Sequence, residues 1–158
     1  MTFYTWYNDR YKLLTISSEI KKSLCVLALK IMIKKLLILK VQHAQITIPK
    51  GAEDEARKFY CGVLGLQEIP KPEILRTRGG FWLEVGAFQV HVGTEDGFDR
   101  RATKAHIAYE VEDLAGWRRK LAENDVEILE GVPIPYYDRF EFRDPFGNRV
   151  EFLQKTEK

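Results

Sequence analysis

Cysteine is scarce in this chain of 158 residues, where Cys25 and Cys61 are the only two. They share no CxxC spacing and are too few for a disulfide framework, so both read as free thiols in a reducing, cytoplasmic setting. An excess of one charge is missing as well, with 25 Lys and Arg against 23 Asp and Glu. That balance argues for a small-molecule partner and against nucleic acid or an anionic membrane surface. Long apolar runs are absent. Leu24 to Leu39 comes nearest, but Lys30, Lys34 and Lys35 interrupt it, whereas a spanning helix needs about 20 largely apolar residues. The same run follows Lys21 and Lys22 as a secretory leader would, yet it is short and no small-x-small cleavage site comes after it. Neither GxGxxG nor GxxxxGK followed by Ser or Thr occurs, so no loop marks a phosphate cradle.

Residues 1–40 contain neither Gly nor Pro and are rich in Tyr, Leu, Ile and Lys. They read as an N-terminal extension, disordered or lying upstream of the natural start, for which Met32 stands just before the first clear strand. The remainder reads as one globular domain over 41–155, since 45% apolar residues suffice for a core.

Within that domain the periods are legible. Val41–Ile48 alternates as a strand and stops at Pro49 and Gly51. Ala52, Ala56, Phe59, Tyr60, Val63 and Leu64 then fall on one helical face; Glu53, Asp54 and Glu55 suit its first turn, and Gly65 its end. Three extended pieces follow, Leu66–Ile69, Gly80–Val85 and Phe88–Thr94, the last two joined tightly through Gly86 and Ala87. The second half repeats this order. Ala105–Val111 alternates; Asp113 can cap a helix whose inner face is Leu114, Trp117, Leu121 and Ala122; then come Val126–Leu129, Arg139–Arg143 and Arg149–Gln154. The expected fold is α+β, with a βαβββ module written twice, over 41–94 and 104–155. Duplicated modules commonly pair about a pseudo-twofold axis and face one another across a groove. A single open α+β sheet without any meaning in the duplication fits the pattern too.

All three histidines lie in expected strands. His43 and His106 open the first strand of each module; His91 and Glu151 lie in the last strand of each, and both pairs are separated by roughly 60 residues, the repeat length. Alternation of strand side chains puts all four on the polar faces, opposite residues such as Ile46, Val90, Ile107 and Phe152. Imidazole and carboxylate groups there must be solvated, hydrogen-bonded or bound to metal. Neutral imidazoles with one carboxylate suit a divalent first-row cation and leave positions open for substrate. Each histidine taken alone reads equally as a satisfied polar strand residue.

These residues resemble the vicinal oxygen chelate superfamily, which includes glyoxalase I, extradiol dioxygenases and the bleomycin and fosfomycin resistance proteins. The resemblance covers the paired modules, the helix ending Phe59-Tyr60-Cys61-Gly62-Val63-Leu64-Gly65-Leu66, and most specifically Asp144-Pro145-Phe146-Gly147-Asn148-Arg149-Val150-Glu151. It implies metal ligands at His43, His91, His106 and Glu151, a divalent metal (Zn, Ni, Fe or Mn), and a homodimer in which module one of one chain meets module two of the other. It also implies a Lewis-acid cation holding two neighbouring substrate oxygens and stabilising an enediolate or similar oxyanion, with Glu151 as general base. In glyoxalase I the ligand at the place of His91 is typically a glutamate. Three ligands suffice in other members, corresponding to His43, His106 and Glu151, in which case His91 lines the pocket.

Further pocket candidates are Trp82 and Glu84 on the polar face of one strand, Glu141 on another, and Tyr137 and Arg139 as a rim or anionic anchor. Tyr136 stands beside them. Three functions are open on these residues: a metal-dependent isomerase or lyase resembling glyoxalase I, an extradiol-type Fe(II) dioxygenase, and a metal-free drug-binding resistance protein.

Overall fold

The structure is a computed structural model that describes residues 38–156. Contacts divide the chain after Lys40, and the account below concerns the unit from Val41 onward. The expectations for residues 1–37, Cys25 and Met32 among them, lie outside the described residues.

Strands β1 (His43–Ile48), β2 (Gln67–Ile69), β3 (Phe81–Val85) and β4 (Phe88–Thr94) form one sheet in the order β1-β4-β3-β2. Strands β5 (His106–Glu110), β6 (Ile128–Glu130), β7 (Tyr137–Arg143) and β8 (Arg149–Lys155) form a second sheet in the order β5-β8-β7-β6. In each, the first strand runs parallel to the last and the remaining pairs are antiparallel. The module is therefore duplicated in topology as well as in element order. Two four-stranded mixed sheets result, and they do not close into one another.

Helix α1 (Glu53–Arg57) carries its three acids in the first turn and widens into a π-helix over Lys58–Val63. The wider turn brings Phe59 and Tyr60, next to each other in sequence, into the core together. Gly65 follows at φ +74, a conformation that glycine adopts without a Cβ penalty. Helix α2 (Leu114–Ala122) starts at Asp113, whose carboxylate accepts from the Gly116 amide at 2.8 Å. Leu114 and Leu121 are buried and Trp117 packs on Phe152, but Ala122, expected on the inner face, is exposed.

One core serves both modules. Ala56, Phe59, Tyr60 and Leu64 from α1 and its extension join Leu83, Val90 and Val92 of the first sheet and Phe140, Phe142, Val150 and Phe152 of the second. Phe59 of module one meets Phe142 of module two at 6.4 Å between ring centroids. Because alternate strand residues point to opposite faces, committing the aliphatic faces of both sheets to this core turns their polar faces away from it.

A buried polar latch ties the modules. Asp144, 2% exposed, accepts from Tyr60 Oη at 2.6 Å, from the Asn148 amide at 2.7 Å, from Asn148 Nδ2 at 2.7 Å and from the Phe146 amide at 3.0 Å. Asn148 Nδ2 also donates to the Thr47 carbonyl at 2.9 Å, and the buried Arg100 donates to the same carbonyl through Nε. Burial, then the Asp144 charge, push the Tyr60 pKa well above the ordinary phenol value.

Among the described residues no helix is long and apolar enough to cross a membrane, and Cys61 is a free thiol whose pKa burial pushes up.

Two stability predictions follow from these contacts. Tyr60→Phe removes one charge-assisted donor from a buried carboxylate and is expected to cost about 1.5–3 kcal/mol in urea unfolding; a loss under about 0.5 kcal/mol would mean the latch carries no tension between modules. The Glu53 carboxylate accepts from the Gly80 amide at 3.1 Å, and this hydrogen bond is the main reason its pKa lies below the ordinary value of 4.5. A carboxylate held below its unfolded pKa adds stability above that value and loses it as pH falls further. Stability below pH 4.5 should thus fall more steeply in the wild type than in Glu53→Gln, and identical slopes would remove Glu53 from the account.

Candidate metal centre

The polar faces gather the sequence-predicted residues into two groups. On the first sheet, His91 lies directly across from Trp82, and His43 lies across from Gln89. The three rings form a row: Trp82 stacks on His91 at 4.0 Å and 2°, and His91 on His43 at 4.1 Å and 15°. Glu84 is on the same face, opposite Gln89 and exposed. On the second sheet, His106 Nε2 stands 3.0 Å from Glu151 Oε2, and Arg139 Nε donates to Glu151 Oε1 at 2.5 Å. Glu141 lies across from Glu151, and Tyr137 is on the same face at the start of β7.

The expected four-ligand cluster is therefore split within one chain. No group of three or more His, Cys, Asp or Glu side chains placed to hold a metal occurs among the described residues. None of four cavities formed by the described residues is lined by His43, His91, His106 or Glu151.

Each half nonetheless presents donors suited to a cation. His106 Nδ1 is 2.9 Å from the Lys104 carbonyl, which can only accept, so in the neutral ring the proton sits on Nδ1 and the lone pair on Nε2. That lone pair faces a carboxylate oxygen at 3.0 Å. Two electron-rich atoms at this distance need a proton or a cation between them, and ligands at about 2.0–2.2 Å from zinc stand about that far apart. Fixing one imidazole nitrogen on a backbone carbonyl while the other faces the metal is the usual outer-shell arrangement of a ligating histidine.

In the first half, Gln42 and Gln89 play the part of Lys104. Gln42 Oε1 is 2.5 Å from His43 Nδ1, and Gln89 Oε1 takes both Gln42 Nε2 and His91 Nε2, each at 3.2 Å. Side-chain oxygens of amides accept, so neutral His43 keeps its lone pair on Nε2 and neutral His91 on Nδ1. Burial first, then the charges of His43 and Lys71, hold the His91 pKa below the ordinary imidazole value, which favours the neutral form that ligation requires.

The second half is also an ion network. Glu141 accepts from Arg139 Nη2 at 3.0 Å and from Arg149 Nε at 2.6 Å, while Arg139 Nη1 reaches the Val132 carbonyl at 2.9 Å. Glu141 and Glu151 are only 7% and 6% exposed. Directly opposed carboxylates repel, and Arg139 bridging the two makes their burial tolerable. Sequence reasoning placed Arg139 at a rim, whereas the structure puts it against Glu151 itself. Arg149, Gln42 and Gln89 were not singled out as site residues, although strand alternation already put Gln89 with His91 and Arg149 with Glu151.

The duplicated modules and the matched position of four donors define a glyoxalase-like fold. The profile of the Glyoxalase/Bleomycin resistance protein/Dioxygenase superfamily matches residues 41–152, and the chain belongs to that superfamily. A solved structure from Bacillus anthracis, described as a glyoxalase family protein, is 38% identical, with a TM-score of 0.72 over 77% of this chain and 99% of that one. Similar in fold are a glyoxalase/dioxygenase from Nostoc punctiforme (18% identical, TM-score 0.65, 79% of this chain and 99% of that one) and the fosfomycin resistance protein FosX from Listeria monocytogenes, complexed with Mn(II) and sulfate (14% identical, TM-score 0.63, 76% and 93%). No curated protein matches the chain closely.

Proposed function

We propose that this protein is a divalent-metal-dependent enzyme acting on a small molecule with vicinal oxygens, of the glyoxalase-I-like isomerase or lyase type. The observation that carries the reading is the pair His106 Nε2 and Glu151 Oε2 at 3.0 Å, with His106 Nδ1 spent on the Lys104 carbonyl. His43 and His91 occupy the matching positions of the first module and present one lone-pair nitrogen each. The metal would be held by His43, His106 and Glu151, with His91 as a fourth ligand or as a wall of the pocket.

The separation of the halves supports a homodimer in which the first sheet of one chain faces the second sheet of its partner. Isologous contacts of this kind form two equal sites about a twofold axis. A cation bound there supplies Lewis acidity towards two neighbouring substrate oxygens. The chain's own residues would do the rest. Glu151, or Glu141 one strand away, moves the proton; Trp82 covers the pocket with an apolar wall; Tyr137 orients the substrate, and Arg139 holds the two carboxylates. The scarcity of cysteine, with Cys61 a free thiol, and the balanced charge keep the cytoplasm as the expected compartment. FosX, described with Mn(II), adds manganese to the zinc, nickel and iron that a histidine-rich donor set favours.

One observation favours a second reading. Arg139 already neutralises Glu151 and Glu141, as it would in a metal-free binding protein of the drug-resistance kind.

Metal analysis separates these readings. Protein stripped with a chelator and reloaded should retain about one metal per chain, and His106→Ala should retain far less. No retention would favour the metal-free binder, and iron with oxygen uptake on a catechol would favour the extradiol dioxygenase. Mixing His43→Ala with His106→Ala tests the shared site: subunit exchange leaves one intact centre in each mixed dimer and should restore about a quarter of the wild-type metal content. A site built within one chain would restore none.

A further inference from the structure

We propose that Arg139 is a resident counter-cation that occupies Glu151 in the metal-free protein and has to release it when a metal binds. The inference rests on the metal-dependent reading above. It concerns a positioning residue, since Arg139 would act on the cation only through the carboxylate it holds.

The arrangement of Arg139 supports displacement over permanent support. Its guanidinium spends Nε on Glu151 Oε1, Nη2 on Glu141 Oε1 and Nη1 on the Val132 carbonyl. Glu151 Oε2 is meanwhile turned to His106. A carboxylate shared with a guanidinium donates less charge to a cation, and the guanidinium and a divalent cation repel one another across it. Arg139 has somewhere to go. Glu141, two residues further along β7, remains as an anionic partner, and Arg139 also borders a cavity together with Tyr137, Gln154 and the Arg118–Glu130 pair. Gly131 lies beside the guanidinium, where a Cβ would come within 3.1 Å of Arg139 Cζ. Arg149 holds Glu141 but has no hydrogen bond to Glu151 among those the structure shows, which makes it the natural control.

Zn(II) affinity, measured by competition with a chromophoric chelator, tests the proposal without any turnover. Arg139→Met should bind Zn(II) about tenfold more tightly than the wild type, and Arg139→Lys, which keeps a charge but cannot fork across two carboxylates, more tightly by a smaller factor. Glu141→Gln should bind more weakly, because Arg139 then has Glu151 as its only carboxylate. An Arg139→Met affinity equal to or below that of the wild type overturns the proposal, since a residue that merely orients Glu151 would weaken binding when lost. An equal gain in Arg149→Met also overturns it, because general charge would then explain both. If Arg139→Met does not fold, Arg139→Lys decides by the same signs. Zn(II) binding by the wild type with no gain in either Arg139 variant defeats this inference and leaves the metal-dependent reading standing; no binding by any variant defeats both.

Discussion

The Asp144 carboxylate is buried between the two modules and accepts four hydrogen bonds, three of them from the turn that it opens and one from Tyr60 of the other module. This single group sets where β8 begins. Glu151 follows at a fixed place in β8, across from Glu141 on one side and Ala108 on the other. Strand side chains alternate, so a slip of one residue would send Glu151 into the aromatic core and bring Phe152 out to the polar face. The turn is thus a register device, and its attachment to Tyr60 makes the register of one module depend on the docking of the other.

Electrostatics then decide what the second sheet can do. Two carboxylates opposite each other, both almost wholly buried, raise the cost of folding unless positive charge accompanies them. Arg139 and Arg149 provide it, and His106 Nε2 stands against the remaining oxygen of Glu151. The first sheet solves a different problem, that of burying imidazole, with amide side chains and ring stacking in place of ion pairs. The halves differ in chemistry: one presents imidazoles held by amide side chains and ring stacking, the other two buried carboxylates matched by two guanidiniums.

Much of this was legible before any coordinates. The βαβββ repeat, the strand faces, the Asp113 cap and the tight β3 to β4 connection follow from period two, period 3.6 and turn chemistry, which are local. The widening of α1 was not, because hydrogen-bond spacing in a helix responds to what packs on it, and Phe59 and Tyr60 meet the sheet of the other module. Ala122 was expected in the core because its spacing matched, but at the end of the helix it is Leu121 that is buried and Ala122 that is exposed. Arg139 and Glu151 are twelve positions apart on antiparallel neighbours, and no periodic argument identifies which long cation reaches which carboxylate.

The amino-acid sequence alone determined which residues share a face and which strand positions correspond between the modules, because both depend on geometry within a few residues. It thereby selected His43, His91, His106, Glu151, Trp82 and Glu141 for the polar faces. Only the tertiary structure decided that these fall into two separate groups in one chain. The physical reason is the common core: each sheet has one aliphatic face to bury, both faces contribute to one hydrophobic cluster, and strand alternation then sets the direction of each polar face.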